Sequence, residues 1–304
     1  MSGMINNFYY GKAGKADYTP DQLPSNRVSL FFEMLRIRFS SLIGVNLVTV
    51  LTSLPAIIWS YLSFNVLLMN ASAEAPAAGS MDTTIIFYLL LMIPCLMLST
   101  TFSTGTSYIL RNWARDQHTF TMSDFWDAVK SNWKSGLLLG FINGLSLLLT
   151  YIAYAYYGMM AINGGMFWYV PQMLVVILCA IWWMANMLIT PMMVTYDMSF
   201  RTLARNGIIM TLGRLPWALL IWVLSLAIPL VIALYVPYGI VIIALIYLLI
   251  GFSLTNFIYA SYANSCFDRY LNPRIEGAPV NMGLRDPNLV EEDVEVTDED
   301  IKNL

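Results

Sequence analysis

The charged residues of this 304-residue chain are sorted by sign around six apolar segments. All sixteen Lys and Arg residues fall in the two terminal segments and in two connections, the second-to-third and the fourth-to-fifth. The other three connections contain no Lys or Arg, and no Asp or Glu lies inside an apolar segment. This pattern is typical of a polytopic membrane protein, in which positive loops stay on the cytoplasmic side. We therefore expect three outward-facing connections and two cytoplasmic termini.

Length and composition support helical spans. The chain is 58% hydrophobic and 12% charged, with a mean hydropathy of +0.63, which is unlike a soluble domain. A helix needs roughly 20 apolar residues to cross ~30 Å of hydrocarbon. The apolar run from Leu215 to Phe252 is too long for one span, and Pro237 with Gly239 predicts a turn within it. The predicted fold class is an all-α membrane protein with a six-transmembrane-helix bundle, its spans at about 42–68, 84–108, 136–160, 168–194, 217–234 and 239–262.

The chain divides into three parts. Residues 1–27 form a polar N-terminal segment, and residues 28–276 form the membrane domain. Residues 277–304 form an acidic tail in which Glu291 to Asp300 contains seven acids. Such a composition cannot bury a core, so we expect the tail to be disordered.

Short cytoplasmic amphipathic helices are predicted beside the spans. One covers Val28 to Phe39, a second Ser123 to Lys134 with Ser123 as its cap, and a third Ser199 to Leu212. Each can lie on the membrane, pack on the bundle or contact a partner. The second helix and the loop before it supply a candidate partner surface, consisting of Arg115, Asp116, Asp124, Trp126, Lys130 and Lys134.

The spans contain amides in place of charges. Asn46 lies four residues, and Asn143, Asn186 and Asn256 lie six to eight residues, from the cytoplasmic end of a span, roughly 6 to 12 Å deep at helical rise. They can join helices by hydrogen bonds, or they can form a polar layer that binds a neutral solute such as a sugar. The lack of ionisable groups in the spans argues against ion coupling.

Enzymatic chemistry has little support in the sequence. His118 is the only histidine, and neither a Gly-x-Ser-x-Gly motif nor a pair of intramembrane Asp residues occurs. We expect no catalysis, no metal and no cofactor. The basic residues are dispersed over four segments beside lipid, so no nucleic-acid partner is expected.

Three groups of residues resemble motifs of a known family. They lie at the entry to the first span, around the second-to-third connection and after the last span. The groups are Phe31–Glu33 with Asn46, Leu47, Leu54 and Pro55; Thr104–Tyr108 with Arg115, Asp116, Ser123–Trp126 and Asn132–Lys134; and Phe267–Pro273.

Over about residues 28–273 the chain resembles the YesL-like membrane proteins, which carry the domain of unknown function 624. The resemblance implies a bacterial cell-membrane protein whose genomic context is carbohydrate uptake and degradation. Two functions follow as hypotheses. The first is a noncatalytic accessory subunit with a sugar importer or sensor as its partner. The second is a permease or facilitator for a neutral solute.

Overall fold

The computed structural model describes residues 23–71 and 80–285, with the backbone alone for Ser80 and Met81. Most of the predicted N-terminal segment, and the predicted tail from residue 286 onward, lie outside the described residues. The described part contains helices and no strands, so the predicted all-α class is confirmed. Six helices within the described residues are long and apolar enough to cross a membrane, which confirms the six predicted spans.

The helices follow one another in a simple order. Helix α1 covers Arg27–Ile37 and precedes α2, the first span, at Phe39–Ala71. The second, third and fourth spans are the helices α3, α4 and α5. The short helix α6 connects the fourth span to the fifth, which is α7. The sixth span consists of α8, a π-helical segment and α9. Their bounds are Ser80–Trp113 (α3), Thr121–Gly164 (α4), Tyr169–Met193 (α5), Phe200–Gly213 (α6), Leu215–Tyr235 (α7), Gly239–Ile246 (α8), Tyr247–Gly251 (π) and Phe252–Tyr270 (α9).

Helix α4 is longer than the sequence predicts. The expected short helix at Ser123 to Lys134 and the expected third span form one helix of 44 residues. At about 1.5 Å per residue it measures ~66 Å, roughly twice the hydrocarbon thickness. The predicted cap at Ser123 is wrong, because the helix begins two residues earlier. Asp124 accepts the backbone N–H of Phe120 at 2.8 Å and serves that end instead. The helix therefore extends beyond the thickness of the hydrocarbon, and its first turns pack on the bundle through the buried Phe125 and Val129.

Helices α3 and α4 pack closely along three glycines. An added Cβ at Gly136, Gly140 or Gly144 would lie 2.9, 2.5 and 2.8 Å from the Cα atoms of Thr101, Met97 and Ile93. The glycines are four residues apart, so they share one face of α4. Small residues at this spacing let helix backbones approach one another in membranes.

The predicted turn between the fifth and sixth spans is present at Val236 to Tyr238. Tyr238 has a left-handed backbone, with φ of 59°. A Cβ at Gly239 would lie 1.8 Å from the carbonyl oxygen of Ile232, so only glycine fits there. This close return lets α7 and α8 run side by side.

The two described ends of the chain meet at one end of the bundle. Arg27, Arg115 and Arg214 each hydrogen-bond to α9, at Asp268, Asn264 and Ser265. We call this the basic end. The segment after α9 also lies there, since the N–H of Arg285 donates to the carbonyl of Pro24 at 3.0 Å.

Candidate functional site

Asn46 is fully buried between α2 and the sixth span. Its amide nitrogen donates to the carbonyls of Tyr247 and Leu248 at 2.9 and 2.8 Å, and its amide oxygen accepts the N–H of Ser253 at 2.9 Å. These backbone groups belong to the π-helical segment and the start of α9, where the α-helical hydrogen-bond ladder is interrupted. The Asn46 side chain thus bonds to backbone groups at the point where the helical bonding pattern changes.

Asn143 and Asn186 meet between α4 and α5. Asn143 donates to the amide oxygen of Asn186 at 3.0 Å, and Asn186 donates to the carbonyl of Trp182 at 2.8 Å. The indole N–H of Trp182 donates back to the amide oxygen of Asn143 at 2.9 Å. The three residues form a closed ring of hydrogen bonds that joins the two spans.

The four predicted amides therefore divide into separate groups. Asn143 and Asn186 bond to each other, whereas Asn46 bonds to the sixth span. Asn256 is half-buried in α9 and has no side-chain hydrogen bond to another described residue. Hydrogen bonds across helix contacts match the packing role weighed for these residues. The solute-binding layer stays a prediction.

Two adjoining cavities form a groove at the basic end, between the first turns of α4 and the loop after α5. Their volumes are about 330 and 360 Å³. Ser131, Asn132 and Val194 line both cavities. We call this the polar groove, and its remaining polar lining consists of Tyr108, Asp124, Asp127, Ser135, Thr195, Tyr196 and Asp197.

The six residues predicted as a partner surface do not share one environment. Arg115 is only 6% exposed and points into the protein. Asp116 is exposed in a left-handed backbone conformation, with φ of 55°. Burial raises the pKa of the Asp116 carboxyl, and the nearby Arg38 lowers it. Asp124 lines the polar groove.

The other three residues of the predicted surface are exposed along the first turns of α4. Trp126 is 45% exposed, and its ring contacts Phe102 edge-on with centroids 6.1 Å apart. Lys130 and Lys134 are exposed further along the helix, and the Lys134 ammonium lies 5.7 Å from the Trp133 ring centroid. The accessible part of the predicted surface is thus on α4.

Three arginines gather beneath the groove, a feature that the sequence analysis did not anticipate. We call Arg27, Arg111 and Arg115 the arginine cluster. Arg27 forms an ion pair with Asp268 and donates to the carbonyls of Ala114 and Met282. Arg111 donates to the carbonyl of Val194 at 3.1 Å, and Arg115 donates to the amide oxygen of Asn264 at 2.9 Å.

Neighbouring polar groups fix this arrangement. Asn264 is fully buried and also donates to the carbonyl of Arg111. Tyr196 donates to the amide oxygen of Asn272, whose nitrogen donates to Asp268 at 2.8 Å. The result is a continuous polar network between the end of α3, the loop after α5 and the end of α9.

Burial is the largest cause of the pKa shifts of Arg115 and Tyr196 in this network. Burial lowers the pKa of Arg115, and the Arg27 guanidinium lowers it further, whereas Tyr196 and Asp268 raise it. Burial raises the pKa of Tyr196 to about 12, against the opposing effect of Arg115. Tyr196 therefore stays protonated at neutral pH, as a hydrogen-bond donor.

The fold and its hydrophobic spans define a class, the multi-pass α-helical membrane proteins. Within that class, residues 62–154 match the model of a family described as "Protein of unknown function, DUF624". The match confirms the resemblance to the YesL-like family predicted from the sequence. It covers the last ten residues of α2, all of α3 and most of α4, including the glycine face of α4. No curated protein and no solved structure matches the chain.

Proposed function

We propose that this protein is a noncatalytic accessory subunit of the bacterial cell membrane, associated with carbohydrate uptake or its regulation. In this proposal both termini are cytoplasmic, and the polar groove receives a basic segment of an importer or sensor subunit. The groove carries the proposal, because it combines three carboxylates with hydroxyl and amide groups on one accessible surface. The carbohydrate context rests on the resemblance to the YesL-like family.

Charge is the first support for a basic partner. Asp127 and Asp197 are exposed, and Asp124 is half-buried beside them in the groove wall. Complementary charge of this kind steers a partner and fixes its orientation. The exposed Trp126 on the same helix adds an aromatic side chain, a type enriched at protein interfaces.

The state of the buried amides is the second support. Asn46, Asn143 and Asn186 make hydrogen bonds to protein groups on their neighbouring helices. A solute in the spans would have to break some of these bonds. This arrangement favours a structural role for the amides and a functional role for the basic end.

A site-specific crosslink tests the proposal. A photo-crosslinking residue at Ser131, which lines both cavities, should capture a carbohydrate importer subunit or its sensor in native membranes. The charge reversals Asp127→Lys and Asp197→Lys should abolish capture. Glu276→Lys reverses an exposed acid outside the groove and should leave capture intact. Equal capture by all variants, or capture of neither kind of subunit, would reject the proposal.

A second candidate function is that of a permease for a neutral solute. The hydrogen-bonded ring of Asn143, Trp182 and Asn186 is the observation that favours it. An indole and two amides are groups that bind sugars, and here they lie inside two spans. The purified protein in liposomes should then give sugar flux that Asn143→Leu and Asn186→Leu reduce. Absence of flux by the folded protein would exclude this candidate without affecting the crosslinking result.

A further inference from the structure

The arginine cluster contains more positive charge than the surrounding protein neutralises. Arg111 and Arg115 are 9% and 6% exposed, and the side chain of Arg27 is 12% exposed. In the part of the chain that the structure describes, Asp268 is the acid that bonds to the cluster. Asp116, the nearest acid in sequence, interacts with Arg38 and Glu33 instead. Among directly bonded groups, three guanidiniums and one carboxylate leave an excess of two positive charges, since the three carboxylates of the polar groove form no ion pair with the cluster in the described residues.

Each of the three guanidiniums also has a buried N–H without a partner among the described residues. The unpartnered atoms are Nε of Arg27, Nε of Arg111 and Nη2 of Arg115. An unpaired donor on a buried charge is costly, so native proteins rarely leave one unsatisfied. Arg38 Nε is also buried without a partner, but Arg27, Arg111 and Arg115 are the three in one network, where water or a ligand group could accept their hydrogen bonds.

The charge of Arg27 acts on the guanidinium of Arg115, and that of Arg115 acts on Arg111, so the three arginines are electrostatic neighbours. Arg111 and Arg115 are one helical turn apart at the end of α3, and Asn264 bonds to both of them. Asn264 and Asp268 are one turn apart on α9, so Arg115 and Arg27 contact neighbouring positions of that helix. Arg111 bonds to Val194, which lines both cavities of the polar groove. Arg111 is therefore next to the polar groove, although none of the three arginines lines either cavity.

We propose that Arg27, Arg111 and Arg115 form a binding site for a phosphate group at the basic end of the bundle. Guanidinium forks match phosphate oxygens in geometry and in charge. A phosphate monoester carries about −1.5 to −2 charges near neutral pH, close to the excess in the cluster, whereas a carboxylate supplies only one. The phosphate group can belong to a free anion or to the headgroup of an anionic lipid.

The test compares these two sources with the full-length protein. In detergent, inorganic phosphate should raise the melting temperature by a few degrees above that in chloride of equal ionic strength. In nanodiscs, phosphatidic acid, whose headgroup is a phosphate monoester, should do so relative to phosphatidylcholine alone. A response to phosphate identifies a free anion, and a response to the lipid alone identifies a headgroup.

Two variants make the result specific. Arg115→Lys keeps the charge and removes the unpartnered Nη2 donor, so phosphate-group binding should weaken about tenfold or more. Arg201→Gln removes an exposed arginine of α6 outside the cluster and should respond like the wild type. Arg111→Gln should lose the response, and Arg115→Lys serves alone if that variant fails to fold. No stabilisation by either ligand, or equal stabilisation of Arg115→Lys and the wild type, would overturn the proposal.

Discussion

The side chain of Asn46 completes the backbone hydrogen bonding around Ser253. Its amide oxygen accepts the Ser253 N–H at 2.9 Å, and the Ser253 hydroxyl donates to the carbonyl of Leu42 at 3.0 Å. Both residues are fully buried. The π-helical segment of the sixth span thereby has protein partners for its backbone polar groups. Lipid could not supply these partners, because it offers no hydrogen-bonding groups.

Replacing Asn46 by Leu should destabilise the protein by about 1–3 kcal/mol, since it removes three buried hydrogen bonds between α2 and the sixth span. Membrane hydrogen bonds average only about 0.6 kcal/mol in double-mutant measurements, which places the expectation toward the lower half of that range. Reversible unfolding in mixed micelles measures the change. Asn65→Ala provides the control, because Asn65 is exposed and bonds only within its own helix. Equal stability of the two variants would contradict this role for Asn46.

The contact between α3 and α4 should be sensitive to a single methyl group. Gly140→Ala would place a Cβ 2.5 Å from the Cα of Met97, a backbone atom that cannot move alone. We expect the helices to separate and the melting temperature to fall by several degrees. Gly44→Ala is the matched control, because nothing lies within 4 Å of its added Cβ. The control should be neutral or slightly stabilising, since Ala is the better helix former. A loss of similar size in both variants would remove the special role of Gly140.

Local sequence patterns predicted the parts of this fold that depend on chain length and hydropathy. The six spans and the turn at Val236 to Tyr238 are of this kind. The spacing of Gly136, Gly140 and Gly144 was a usable signal for close helix packing, and it was overlooked. The prediction of a separate helix at Ser123 to Lys134 failed because hydropathy changes there while helix propensity does not.

The polar network at the basic end could not be predicted from the sequence, because it depends on contacts between distant positions. Arg27 and Asp268 are 241 positions apart, and their pairing depends on how α1 and α9 meet. The burial of Arg115 depends on the same closure, so a residue predicted as a surface group became part of the interior. The positions of the amides in the spans predicted that they form hydrogen bonds. Their partners depend on how each helix is rotated about its own axis, which brings Asn143 to Asn186 and Asn46 to the sixth span.

The distribution of Lys and Arg predicts that the basic end faces the cytoplasm. A fluorescent protein fused to the C terminus should therefore fluoresce. Alkaline phosphatase should be active when fused within the connection between α2 and α3, and inactive when fused after Arg214. Active phosphatase after Arg214 would invert the predicted orientation and exclude a cytoplasmic partner for the polar groove.

The ion pair of Arg27 and Asp268 should stabilise the closed basic end. Both side chains are nearly buried, at 12% and 8% exposure, so removing one charge leaves the other without its counterion. Breaking a buried pair in this way typically costs 3–5 kcal/mol, and we expect about 3 kcal/mol or less for Asp268→Asn, because the amide can keep some of the hydrogen bonds. The segment from Ile275 to Arg285 should also become more susceptible to protease, since Arg27 bonds to the Met282 carbonyl.

Two further variants separate the ion pair from packing. Asp197→Asn changes an exposed acid and is the control. Replacing both partners by Met should recover part of the lost stability, because it removes the buried charge of Arg27 together with its counterion. If the double variant were as unstable as Asp268→Asn, the loss would come from packing around α9 and not from the ion pair.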